Sequence, residues 1–138
     1  MYNSYVMYMK VLSIKEPFAT LIKDGIKQIE TRSWKTNYRG KLFIHASLTK
    51  NNKSIIGRNE LLKLIENKEM NYGNIICECE LVDCIYMDEK FLNEIKNNHI
   101  EYICGHYDIG RYAWIFTNVK PIKPIPAKGR LGIWNYEK

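Results

Sequence analysis

Residues 10–14 form a short, largely apolar run that predicts a first strand. Glu16-Pro17 then opens a helix, with proline in the first turn, where an amide donor lacks an intrahelical partner in any case. Phe18, Leu21 and Ile22 recur at i, i+3 and i+4 and give it one apolar stripe. Gly25 predicts the stop, as a left-handed residue just beyond the last turn. Residues 27–34 read as a second strand, whose period of two places Glu30, Arg32 and Trp34 on one face. In a third strand Leu42, Ile44 and Ala46 share a face, while Phe43, His45 and Ser47 take the other.

The pattern becomes helical from Asn59, with Leu61, Leu62, Leu64 and Ile65, and a turn is predicted at Asn71-Tyr72-Gly73. Residues 75–86 are the longest strand candidate, and their unbroken mixture of apolar and polar positions predicts a central place in a sheet. Asp88 is placed to cap a short helix carrying Phe91, Leu92 and Ile95. Residues 97–110 are polar and punctuated by glycine, which predicts a long loop able to act as a flap over a site. Residues 111–116 return to strand with Tyr112, Trp114 and Phe116 on one face, and Pro121, Pro124 and Pro126 confine the next segment to an edge or extended conformation. Residues 131–136 supply the last strand. Strands separated by helices also suit a parallel α/β sheet, but the chain has neither a G-x-G-x-x-G turn nor a P-loop.

At 138 residues the chain suits one domain with one core. We assign residues 10–138 to that domain and residues 1–9 to an N-terminal extension, which has neither a basic leader nor a sustained apolar run. No stretch approaches the roughly 20 apolar residues of a membrane helix. Cys77 and Cys79 are separated by one residue in an apolar run, closer than paired zinc ligands usually stand. With Cys84 and Cys104 they read as reduced thiols of the core. These features predict a cytoplasmic protein with no membrane partner, no metal and no cofactor.

Charge changes the picture locally. The formal charge is +6, from 21 basic and 15 acidic residues, yet Lys120, Lys123, Lys128 and Arg130 fall within eleven residues that contain no acid. Lys35, Arg39 and Lys41 surround the Tyr38-Arg39-Gly40 turn in the same way. Both groups are candidates for a phosphate-facing rim.

The motifs are more specific than the composition. Leu12-Ser13-Ile14-Lys15-Glu16-Pro17-Phe18-Ala19-Thr20-Leu21-Ile22 is followed by Gly25-Ile26-Lys27-Gln28-Ile29-Glu30-Thr31-Arg32, then by Tyr38-Arg39-Gly40 and Ile44-His45-Ala46-Ser47. Near the end stand Tyr112-Ala113-Trp114-Ile115 and Pro124-Ile125-Pro126-Ala127-Lys128-Gly129-Arg130-Leu131-Gly132-Ile133-Trp134. In this order the blocks resemble the ASCH domain, a branch of the PUA-like superfamily. The resemblance implies an α+β fold, a PUA-like small mixed β-barrel flanked by short helices, with RNA or a nucleotide as partner. Some small members hydrolyse N4-acylated cytidine nucleosides and nuclease activity is attributed to others, so it also implies a hydrolase as an alternative. A protein-interaction module is a third reading.

Within those motifs the residues suggest their own chemistry. Arg32 presents a planar fork of donors suited to phosphate, carboxylate or a base edge. Glu30 can accept from an exocyclic amine, pair with a cation, or act as a base if burial raises its pKa. Lys27, Glu30 and His45 are the candidate catalytic residues; Lys15, Pro17, Arg32, Trp34, Arg39, Ser47, Trp114, Lys128, Gly129 and Arg130 are the candidate ligand-binding residues. Trp34 and Trp114 are considered as stacking surfaces for a base. In the deacylating branch a Thr stands three positions after the Lys, whereas here that position is Glu30 and Thr31 comes next, on the other face of a regular strand. Glu78 and Glu80 are the candidate downstream acids.

Overall fold

The computed structural model describes residues 8–50 and 53–137. Residues 1–7 of the proposed extension lie outside the described residues, while Tyr8 and Met9 begin the first strand, β1 (Tyr8–Ile14). Next come α1 (Phe18–Lys23), β2 (Ile29–Arg32), β3 (Gly40–Ala46), α2 (Asn59–Ile65) and β4 (Asn74–Tyr86). The chain continues through α3 (Glu89–Ile95), α4 (His99–Ile103), β5 (Tyr112–Pro126) and β6 (Ile133–Glu137). The strands form one sheet in the order β2-β5-β4-β3-β1-β6, curled into a half-barrel with short helices around it. It is mixed, because β1 runs parallel to β3 while the other neighbours are antiparallel.

The curl follows from broken register. Between β4 and β5 the pairing shifts three times, at Ile75/Cys77, Glu78/Glu80 and Leu81/Asp83, and Asn118 of β5 adopts φ 55°. Each irregularity adds local twist and bends the strand, so the two longest strands close over the apolar face. That face carries Leu12, Ile14, Leu42, Ile44, Ala46, Cys77, Cys79, Leu81, Trp114 and Phe116, packed with Ala19 and Ile22 of α1. The alternation in β3 and the Tyr112-Trp114-Phe116 face are therefore as the spacing predicts. A smaller cluster of Met9, Val11, Ile75 and Trp134, with Phe43 against it, covers the opposite face.

Cys77, Cys79 and Cys104 are buried thiols and Cys84 is half-buried; all four are free. Burial pushes Cys77 up to about 12 and Cys79 higher still, which makes both inert as nucleophiles at neutral pH. Among the described residues no three His, Cys, Asp or Glu side chains cluster as a metal site. No described helix is long and apolar enough to cross a membrane.

Several local expectations hold and three change. Gly25 follows the Asp24 cap of α1 at φ 77°, and Asp88 Oδ1 accepts from the Phe91 amide at 2.8 Å to cap α3. β4 is central, but β5, at 15 residues against 13, is longer. β2 is four residues rather than eight, because the chain bends after Arg32 where the Trp34 carbonyl accepts from Trp114 Nε1. Residues 97–110 are not one loop: α4 forms within them and buries Glu101. Pro121 and Pro126 pair with β4 along a part of β5 that β2 does not reach, the edge position their missing amides require.

Glu16 is buried where α1 begins. Its carboxylate accepts from the Thr20 amide at 2.8 Å, the Thr20 hydroxyl at 2.5 Å and the Asn71 amide at 2.7 Å, tying the first helix to the Asn71-Tyr72-Gly73 turn. Glu16→Ala leaves the buried Thr20 amide and the half-buried Asn71 amide without this acceptor, and we expect it to cost roughly 3 kcal/mol of stability, read as a lower urea midpoint at constant m-value.

Candidate functional site

The parallel strands β1 and β3 stand in register, Ser13 beside His45 and Ile14 beside Ala46, and their C-terminal ends open on a cavity of about 750 Å³. Lys15 and Phe18 border it from the start of α1, and Lys27, Glu30, Thr31 and Arg32 from β2 and the residues before it. Arg58, Cys104, Gly105, His106 and Arg111 close one side, and the turn 128–132 closes another.

Lys27 is 1% exposed, although its charge must be accommodated. Its Nζ donates to the Ile29 carbonyl and, at 2.9 Å, to the Cys104 carbonyl, and lies 5.6 Å from the centre of the Phe18 ring. Glu101 complements it from α4, accepting from the amides of Gln28 at 2.8 Å and Ile29 at 3.2 Å. Burial raises the Glu101 pKa, against the lowering pull of Lys27 and those two amides. Both termini of the short segment 27–29 are thus fixed by one helical turn.

Arg32 is held in plane by Glu30. Its Nε donates to Glu30 Oε2 at 2.8 Å and its Nη2 to the Ser13 carbonyl at 2.8 Å, while Nη1 has no partner among the described residues. The guanidinium therefore faces the cavity with one edge free. Thr31 also borders the cavity, contrary to the alternation of a regular strand. Its hydroxyl accepts from the His106 amide at 3.1 Å and its carbonyl from Arg111 Nη2 at 3.2 Å, so the chain after α4 wraps this edge and gives both faces of β2 a share of the wall.

His45 is engaged at both ring nitrogens. Its Nε2 lies 2.7 Å from the Ala127 carbonyl, which can only accept, so Nε2 carries the proton and Ser13 Oγ donates to Nδ1 at 2.9 Å. Trp134 Nε1 donates in turn to Ser13 Oγ at 3.0 Å. Gly129 lies directly on this pair: a Cβ there would stand 2.8 Å from both His45 Cε1 and Ser13 Oγ. Glycine is required at that point by close approach, and the turn bearing Lys128 and Arg130 is seated by it.

The structure brings together Lys15, Lys27, Glu30, Arg32, His45, Ser47, Lys128, Gly129 and Arg130. Other candidates lie elsewhere. Trp114 is fully buried in the core and Trp34, 39% exposed, meets it edge-on at 4.8 Å, so neither offers a ring to the cavity. Arg39 bonds to the Thr36 and Tyr38 carbonyls and faces Asp83 at 3.7 Å. Pro17 is buried at the cap of α1, outside the cavity wall. Glu78 pairs with Lys41 at 2.8 Å, and neither Glu78 nor Glu80 borders the cavity. Arg58, Glu101, Arg111 and Ser13 were not predicted as site residues; the first three lie outside the dense motifs, and Ser13, although inside the first of them, acts through His45 and Trp134, both distant in sequence.

A mixed sheet curled over a cation-lined cavity, with short helices at its rim, defines an α+β domain of the PUA-like class. The chain belongs to the ASCH domain family, whose model matches residues 12–126. It is 32% identical over 138 aligned residues to human activating signal cointegrator 1 and 25% identical to the mouse protein. Each alignment covers 91% of this chain and 22% of the relative, so the chain spans about a fifth of the length of these proteins. Two solved structures share the fold: ASCH from Zymomonas mobilis, with a TM-score of 0.54 at 17% identity, and a tyrosine-to-phenylalanine mutant of it, with 0.52 at 15%. They cover 86% of this chain, which in turn covers 73% and 75% of theirs.

The His45 environment sets a pH dependence. Burial lowers its pKa below the ordinary 6.5, outweighing the hydrogen bond to Ala127. On acidification the unfolded chain takes up this proton first, so the stability contributed by neutral His45 is present above about pH 6.5 and is lost as pH falls to the folded value. Urea midpoints measured from pH 7.5 downward are expected to fall through that window, and His45→Gln is expected to remove this component of the slope.

Proposed function

We propose that the cavity binds a nucleotide of RNA. The observation that carries this reading is the charge of its wall. Lys15, Lys27, Arg32, Arg58, Arg111, Lys128 and Arg130 border it, seven cations among the described residues, against the single carboxylate of Glu30, which is already paired to Arg32. Such an excess favours a polyanion, and exposed Lys15, Lys128 and Arg130 at the mouth are suited to phosphates. Arg32 and Glu30 together present a donor edge beside an acceptor, the complement of a base edge. Phe18 brings a phenyl ring to the wall, beside the imidazoles of His45 and His106, so stacking passes to it from Trp34 and Trp114. An ASCH domain of the PUA-like class, a fold often linked to RNA binding, suits this partner.

Lys128→Ala combined with Arg130→Ala removes two exposed cations without opening the core. Filter binding on single-stranded RNA at several salt concentrations is expected to show a salt slope reduced by about two, with unchanged thermal stability. Wild-type affinity no greater than that of an unrelated protein of equal charge would defeat the reading. Arg32→Ala is a poorer probe, because it also strips Glu30 and the Ser13 carbonyl of their partner.

A second reading, hydrolysis of an acylated cytidine, is favoured by one observation: Lys27, Glu30 and Thr31 border the same cavity. Lys27 would have to leave two backbone carbonyls to attack a substrate. Metal-free release of the acyl group, lost in Lys27→Met and Thr31→Val, is the expected signature of this alternative.

A further inference from the structure

A second cavity of about 670 Å³ opens beside the first. Arg58, Gly105 and His106 border both, so the two share a wall. Gly105 keeps that wall thin: a Cβ there would come within 2.5 Å of Tyr107 Cε2 and 3.1 Å of Thr31 Cγ2. Thr31 belongs to the first cavity and Tyr107 to the second, and the residue between them has no side chain.

The second cavity is walled by stacked tyrosines. Tyr107 stacks on Phe91 at 6.2 Å and 27° and on Tyr102 at 5.8 Å and 19°, and both tyrosines border the cavity. Packing on its neighbours orders the Tyr102 ring in advance, which lowers the entropy cost of stacking a further ring against it. Arg58 stands at the junction. Its Nη1 donates to the Ser54 carbonyl at 3.1 Å and its Nη2 to the Ile103 carbonyl at 2.6 Å, so the guanidinium is fixed in orientation. It has no carboxylate partner among the described residues. Glu60, the one carboxylate of this second wall among the described residues, is engaged by His99 at 2.5 Å.

We propose that the second cavity receives the neighbouring nucleotide of a bound RNA strand, its base against Tyr102, with Arg58 holding the phosphodiester between the two nucleotides. This rests on the reading of the first cavity as a nucleotide site. A charged, oriented guanidinium between two adjacent cavities suits a bridging anion, and a preordered phenol ring suits the face of any base.

Calorimetric titration with 5′-phosphorylated mononucleotides and dinucleotides of each of the four ribonucleosides tests it. The dinucleotide of the preferred base is expected to bind about tenfold more tightly than its mononucleotide. Tyr102→Leu keeps an apolar contact with Tyr107, and Asn59→Trp fills the cavity from an exposed position at the start of α2. Each is expected to abolish most of that gain while leaving mononucleotide affinity unchanged, which also reports that the variant is folded. A dinucleotide that binds no tighter than a mononucleotide, or a gain that survives both variants, overturns the second subsite and leaves the first intact. Absence of binding by both ligands overturns the nucleotide reading of the first cavity and this inference with it.

Discussion

A buried ammonium is the constraint on which the site depends. Removing a lysine from water is unfavourable by several kcal/mol unless its donors are satisfied, and Lys27 meets that condition through carbonyls from two places, Ile29 beside it and Cys104 beyond α4. The residue at one end of β2 and the residue at the end of α4 are therefore brought to a single point. Glu101 closes the same junction by accepting two amides of the segment. β2 is only four residues long and pairs with a single neighbour, so this clamp supplies what a longer ladder otherwise would. The positions of Thr31, Gly105 and Arg111 in the wall depend on it.

A second set of contacts fixes the opposite wall. Trp134, Ser13, His45 and the Ala127 carbonyl form one hydrogen-bonded row that crosses β6, β1, β3 and the turn after β5. Two walls, each set by buried polar contacts, hold basic side chains around a common space. The like charges there repel one another, and a bound anion would relieve that repulsion.

Much of the framework is legible in the sequence because it depends on short-range spacing. The stripe Phe18, Leu21 and Ile22, the Leu42, Ile44 and Ala46 alternation, and the Asp88 cap all express local geometry, and the structure repeats them. The cysteine strand is of the same kind. Trp34 departs from expectation because a bond from Trp114, eighty residues away, bends the chain out of β2. Glu101 and Arg58 escape notice for a related reason: their roles appear only through partners distant in sequence, the Gln28 and Ile29 amides for Glu101, in a segment that reads as loop, and the Ile103 carbonyl for Arg58, at the start of α2. Among the residues lining the cavity, many of those in dense motifs were named from the sequence, although Ser13, Phe18 and Thr31 were not, and the isolated Arg58 and Arg111 were missed. His45 lies between these cases, since its place was visible while its two hydrogen bonds, which fix its tautomer, were not.

The far part of β5 has a further consequence. β2 reaches only Tyr112 to Ile115, so the strand beyond it has β4 on one side and no other strand partner among the described residues. An exposed edge of this length is ordinarily a template on which a second chain can add a strand. Here an incoming backbone would meet Pro121, Pro124 and Pro126, which have no amide proton, together with the exposed charges of Lys120 and Lys123. The left-handed Asn118 further disturbs the flat geometry that intermolecular pairing needs. Asn118 thus serves both the curl of the sheet and, with the prolines and lysines beyond it, the protection of this edge against intermolecular pairing.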